Sequence, residues 1–402
     1  MVDGSTALRT QGEESTLGRA PPASAAHALR ATVETSEPRI LSRYGELVAR
    51  AVAGHSQQAL WVKSWIEAVP TDGFILTVFH NGQPLMALPL EVVHVGPMRI
   101  ARFMGGSHAN ANFPACTTAC ENLDGTALAQ TIAAALAANR PDIDALVLEQ
   151  QMHALGGLQN PLTALPHRPS TNIALAVSLE DGFEGVLAKH NGKKRRKKHR
   201  YQCRKFEEAG GYRIVTAQTV AETERLFSAY VEMKAIWFQK NKLRDVFADD
   251  EVRAFFKRLF AAALEQEKPS YYMEALEVGG ILRAVAGSSR VDGRVVCEFG
   301  GIAEDDLTQF SPGEFLTFES IQAACRDGNR IFDYGVGDEH YKRLWCDQEI
   351  HQFDVVLPLT AKGRLYSGIK LPFKALKRRV KASPTMKRLV GRLRGRPARD
   401  TD

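Results

Sequence analysis

"SPGEFLTFESIQAACRDGNRIFDYGVGDEHYKRLW", residues 311–345, decides how this chain is read. Ser311-Pro312-Gly313-Glu314 has the form of a capping box: Ser at the N-cap, Pro at the first helical position, Glu at the third. A helix starting at Ser311 is therefore expected, then a short strand RIFDYGV from 330 and a second helix around 338–346. Upstream lies an apolar strand, VVCEFGGI (295–302), separated from the helix by an eight-residue polar loop. A helix that begins just after a strand end presents unbonded N–H groups and a positive dipole end, which suits a pyrophosphate. The same pattern also fits an ordinary well-capped helix, and the Glu314 carboxylate would compete with an anion there.

Working outward, SYYMEALEV, ILRAVAGSSRV and RVVCEFGGI read as three strands joined by the turn dipeptides Gly279-Gly280 and Asp292-Gly293. Strand YRIVTA (212–217) and helices over 219–240 and 249–266 precede them, and HQFDVVLPL (351–359) reads as a last strand. The first half has the same order. ELVARAVAG and QQALWVKSWIEAV read as helices, the second with Trp61 and Trp65 at i, i+4 on one face. GFILTVFH (73–80) and PLMALPLEVVHV (84–95) form a hairpin about Asn81-Gly82, which accepts positive φ. MRIARFM (98–104) is a third strand, followed by a helix over 124–139 and strand IDALVLEQ (143–150). Two α/β halves with one element order imply a duplicated fold, although no sequence identity between them is visible. Residues 1–38 have no periodicity and read as a disordered leader.

The 402 residues suffice for two compact domains, and 44% hydrophobic with 24% charged residues is ordinary for a soluble globular protein. Charge is segregated. Residues 189–205 carry ten Lys/Arg and no acid, and residues 370–402 carry a net +10. Those segments hold +20 against a formal total of +6, leaving −14 for the rest. This points to local anionic partners or a local structural use, not to a protein that coats nucleic acid. Residues 183–209 read as one basic helix stopped at Gly210-Gly211. No signal peptide or membrane span is expected, and the longest apolar candidate, 128–138, is too short. The six scattered cysteines read as reduced thiols in a cytoplasmic protein, with no zinc-ligand spacing and no metal expected.

The 311–345 cluster resembles the signature of GNAT-type acetyltransferases of the bacterial cellulose-biosynthesis (CelD-type) family, distantly related to Fem-type peptidyltransferases. It matches through Ser311-Pro312-Gly313, through Phe332-Asp333-Tyr334-Gly335-Val336-Gly337, and through Tyr341-Lys342-Arg343-Leu344-Trp345. The resemblance covers roughly residues 40–360. It implies an α/β fold of tandem GNAT-like domains, with mixed, mostly antiparallel sheets flanked by helices. The expected division is a leader at 1–38 and a degenerate GNAT-like domain at 39–180. A GNAT acyltransferase domain with its basic linking helix follows at 181–365, then a basic tail at 366–402. Acyl-CoA, acetyl-CoA first, is the implied co-substrate of the second domain. The Arg/Gln-x-x-Gly-x-Gly/Ala loop of standard GNAT enzymes is absent before the helix.

Acyl transfer from a thioester to an amine or hydroxyl needs a base for the acceptor, donors for the oxyanion and an acid for the leaving thiolate. Glu298, inside the apolar strand CEFGG, is a base candidate if buried, and equally a solvent-facing residue of an alternating strand. His340 is a second base candidate. Tyr341 is the acid that the resemblance implies, or an aromatic packed on Trp345 at i, i+4. Ser311, Pro312, Gly313 and Lys342 are the cofactor-binding candidates; Asp333, Asp338 and Trp345 are those for substrate. The acceptor pocket is expected where the halves meet, with His108 and Asn110 of GGSHANANF (105–113) as lining residues or plain surface loop.

In the tail, Phe373, Leu376 and Val380, then Met386, Leu389, Val390 and Leu393, form apolar stripes among Lys and Arg. Such stretches read as contacts with an anionic membrane surface at the inner face, or as helices packed on the body. The expected function is acyl-CoA-dependent acylation of a saccharide, polysaccharide precursor or other small-molecule acceptor. A close variant takes aminoacyl-tRNA as donor, and a different class is a non-catalytic RNA- or membrane-binding module. Against RNA binding, residues 191–211 offer only Tyr201 and Phe206 as stacking aromatics.

Overall fold

The computed structural model describes residues 29–121 and 123–368. The first half runs β1 (Leu29–Thr35), α1 (Pro38–Val48), α2 (Ala59–Ala68), β2 (Asp72–His80), β3 (Gln83–Val95), β4 (Met98–Phe103), α3 (Gly125–Asn139), β5 (Ala145–Met152), β6 (His167–Pro169) and β7 (Ala174–Ser178). After α4 (Gly182–Lys189) and α5 (Gly192–Glu208), the order recurs. It runs β8 (Tyr212–Thr216), α6 (Val220–Lys240), α7 (Asp250–Ala263), β9 (Tyr271–Val278), β10 (Ile281–Val291), β11 (Arg294–Ile302), α8 (Pro312–Arg326), β12 (Ile331–Val336), α9 (His340–Arg343), β13 (Gln348–Ile350) and β14 (Gln352–Pro358).

The repetition extends to pairing. One sheet has the order β1-β2-β3-β4-β5-β14-β6 and the other β8-β9-β10-β11-β12-β7-β13. Each is antiparallel except for one short parallel contact, β4 with β5 and β11 with β12. The halves exchange their seventh strands: β7 enters the second sheet between β12 and β13, and β14 enters the first between β5 and β6. Both are apolar runs (ALAVS and QFDVVLP), and all of β7 is buried, as suits a strand covered on both faces. The exchange runs across the expected division near residue 180.

Helices α1 and α2 of the first half face α6 and α7 of the second in a single apolar core. Its centre is Trp61 and Trp65 against Phe255, at ring distances of 4.8 and 4.9 Å, with Arg258 pairing Glu67 at the rim. Fully burying aromatic side chains of this size contributes about 1.5–3 kcal/mol each, so the seam is a strong one.

Four expectations need correction. The helix expected at ELVARAVAG (46–54) is the end of α1, which starts at Pro38 and stops at Val48. Residues 29–35 belong to a strand and not to a leader, because Leu29, Ala31 and Val33 alternate onto the first-half core. The basic stretch 183–209 is two helices: Asn191 sits in the left-handed region (φ 55°) and caps α5 through the Lys194 amide. The helix expected over 338–346 shortens to α9. The remaining leader, 1–28, and the amphipathic tail from 369 lie outside the described residues.

The basic helix docks by its inward row. The His199 ring stacks on Phe315 and Phe318 and meets Glu319, Gln202 donates to the carbonyls of Phe310 and Ser311, and Phe206 is buried. Lys198 pairs Glu314, and Arg195 lies 3.9 Å over the Trp345 ring.

Candidate active site

β11 and β12 are in register over three pairs only, ending at Val296↔Asp333. Asp333 is fully buried; its Oδ2 meets the Arg294 guanidinium at 2.9 Å, and its Oδ1 accepts the Gly335 amide at 2.7 Å. That amide is thereby withdrawn from the neighbouring strand. Gly335 takes φ 71°, costly for any side chain, and Gly337 donates to Ile173 beside β7. β12 therefore leaves with β7, while β11 runs on to Ile302 with its β12-facing edge unpaired among the described residues.

At the fork β11 carries a bulge. Gly287 pairs Phe299 and Ser288 pairs Cys297, so Glu298 is the extra residue and escapes simple strand alternation. Its side chain is buried. Ser289 donates to Oε1 at 2.5 Å, and Oε2 lies 3.4 Å from Nε2 of His55, which the first half supplies from the turn before α2. The pair satisfies the ion-pair distance, but its angles fall short of a hydrogen bond, so neither His55 ring nitrogen makes a hydrogen bond among the described residues. His108, ringed by Phe247 and Phe256, also feels the Glu298 charge. Burial pulls its pKa down to about 4, Arg102 adding to the effect against a bond to Val246 and the charges of Asp249 and Glu298, so the ring is neutral at pH 7. Asn110 stands beside it, donating to the His108 carbonyl at 3.5 Å.

The other candidates divide. Tyr341 keeps 58% of its surface exposed, yet crowding about its hydroxyl, then Cys297, Glu339 and Cys346, pushes the phenol pKa up and keeps it a proton donor. Its ring is 6.5 Å from that of Tyr334. His340 is exposed. Lys342 is buried and already engaged, donating to the Val336 carbonyl at 3.0 Å and pairing Glu339. Asp338 pairs Arg343, and Trp345 packs under Arg195 and against Phe318.

The capping box does not form. Ser311 takes φ 56°, makes no side-chain cap, and its carbonyl accepts the Glu314 and Phe315 amides, while Glu314 turns to Lys198. Pro312 has no N–H, and a side chain at Gly313 would strike Ile302. The α8 start therefore offers few free amides, and cations of α5 stand there instead.

Residues that the sequence did not single out are His55, Ser289, Cys297 and Lys234. Burial pushes the Cys297 thiol up to about 12, and burial lowers Lys234, whose charge lies in the field of Cys297, Glu339 and Lys342. Among the described residues no group of His, Cys, Asp and Glu could hold a metal ion.

Residues 193–343, from α5 through α9, match the family model described as an acetyltransferase (GNAT) domain. Among solved structures, FemX aligns with a TM-score of 0.55 over 82% of this chain and 98% of its own, at 11% identity. A conserved protein of unknown function from Bacteroides thetaiotaomicron VPI-5482 aligns at 0.50 over 79% and 97%, at 12% identity. A tandem GNAT protein from the clavulanic acid biosynthesis pathway aligns at 0.45 over 83% and 99%, at 15% identity. No curated protein matches in sequence. The expected α/β fold of GNAT-like halves stands, and the family-model match lies within the second half.

Proposed function

We propose that the protein transfers an acyl group from a thioester, acetyl-CoA first, to an amine or hydroxyl of a saccharide or related envelope precursor. One observation carries the reading: the fork between β11 and β12, with the buried Glu298 on the bulge beside it. The unpaired β11 edge over 297–302 can pair with an extended, amide-bearing chain as a strand would. The chain's residues suit acyl-CoA at that edge. At the α8 start the fit is through the charges of Lys198 and Arg195 more than through free amides.

When bound, such a donor supplies the acyl carbon and a thiolate leaving group. Glu298 takes the acceptor's proton, with Ser289 fixing one carboxylate oxygen. Tyr341, protonated at neutral pH, returns a proton on the leaving side. Amides of the free β11 edge face developing negative charge. The test is thiol release from acetyl-CoA in the presence of amino sugars and glycan precursors. Turnover that depends on Glu298 supports the reading; no thermal shift with acyl-CoA and no thiol release from any acceptor removes it.

A second donor, aminoacyl-tRNA, is favoured by one feature. Lys193, Lys194, Lys197 and Arg200 point outward from α5 and make no ion pair among the described residues. Among the described residues no helix is long and apolar enough to cross a membrane.

A further inference from the structure

Two polar side chains face each other across the seam between the halves, and both are closed off from solvent: His55 is 1% exposed and Glu298 3%. A buried imidazole whose ring nitrogens make no hydrogen bond among the described residues is costly, and an apolar side chain would avoid that cost. The surroundings hold it there. Tyr44 donates to the Gln57 carbonyl at 2.6 Å, and Gln57 bridges to Asn112 and accepts the Phe113 amide. Gly54 has no room for a side chain, since one would meet Gln57 Oε1 and the Phe113 backbone. From the second half, the Tyr271 hydroxyl clamps the His55 carbonyl at 2.5 Å. The turn is thus fixed from both halves, with Nε2 3.4 Å from the carboxylate.

We propose that His55 is a positioning residue for Glu298: its Nε2 stands 3.4 Å from Oε2 while Ser289 donates to Oε1, so the first half completes the acyl-transfer site. The inference rests on the reading of Glu298 as the proton acceptor. No bond is made or broken at His55, whose role is to orient the carboxylate. The other titratable groups that feel the Glu298 charge are His108 from the first half and Tyr271 and Cys297 from the second. Among the described residues His55 is the histidine that places a ring nitrogen within ion-pair distance of Oε2.

The test uses the full chain with histidine rings isotopically labelled. The His55 ring signal is titrated by NMR in the wild type and in E298Q, both checked for an unchanged melting temperature. Removing the carboxylate 3.4 Å from Nε2 is expected to move the signal. An unchanged signal overturns the pair. For turnover, H55F is expected to lower kcat about tenfold or more with little change in KM. H55Q, which keeps an N–H donor, should recover much of the rate. A loss in H55F that falls on KM and not on kcat, or no recovery in H55Q, makes His55 a packing residue and overturns the proposal. Absence of any thiol release from the wild type would instead overturn the functional reading, and the NMR titration would still decide the pair.

Discussion

Asp333 accepts the Gly335 amide at 2.7 Å, and beyond that bond β12 no longer follows β11. The same carboxylate neutralises Arg294, itself largely buried. D333A would leave a buried guanidinium unpaired and the Gly335 amide without its acceptor. Breaking a buried pair in this way costs about 3–5 kcal/mol. Denaturant unfolding should show a loss of that order, with a smaller one for D333N, which keeps an acceptor. A loss under about 1 kcal/mol, the scale of an exposed pair, would mean that Asp333 does not hold the fork.

Glu274 provides a pH test away from the site. Burial pushes its carboxyl up to about 7, against the pull of the Ser320 hydroxyl at 2.5 Å and of Arg290. The unfolded chain ionises near the ordinary value of 4.5, so between 4.5 and about 7 it releases a proton that the folded state retains. The penalty on folding is absent below that window, grows through it and is complete above it. E274Q should therefore be more stable than wild type at pH 8, by up to about 3 kcal/mol, with the gain gone at pH 4. Equal stability across the range would mean that the carboxylate is well solvated or fully compensated.

Much of the fold was legible because local chemistry decides it. Asn81-Gly82 and Asp292-Gly293 do sit at positive φ between paired strands, and Trp61 and Trp65 share one face of α2. The strand exchange was not legible: ALAVS and QFDVVLP suit any doubly covered strand, and nothing local names the sheet. Ser311 and Glu314 were misread because a tertiary partner, Lys198, outcompetes the local cap. Glu298 was visible as a polar residue in an apolar strand. His55 was not, since only the seam between the halves gives a buried imidazole its meaning.

The exchange of β7 and β14 predicts that neither half stands alone. Residues 29–180 would expose β7, and 181–368 would lack the strand between β12 and β13. Each fragment should unfold without cooperativity in thermal circular dichroism, and co-expression should restore a single transition. Cooperative melting of either fragment by itself would contradict the reciprocal pairing.

Charge reversal of Lys193, Lys194 and Lys197 separates the two donors. These side chains are exposed and unpaired among the described residues, so stability should change within about 0.5 kcal/mol. With a CoA donor, thioester affinity should persist. With a tRNA donor, binding should fall steeply and lose salt dependence.

The central claim is that the acyl donor lies along the edge of β11 that β12 abandons. Backbone hydrogen exchange, followed with and without acetyl-CoA, measures this directly. Slowed exchange is expected at 297–302 and 334–336, with little change in the corresponding fork of the first half between β4 and β5. Saturating acetyl-CoA that leaves 297–302 unprotected, or that protects the first half instead, would contradict it.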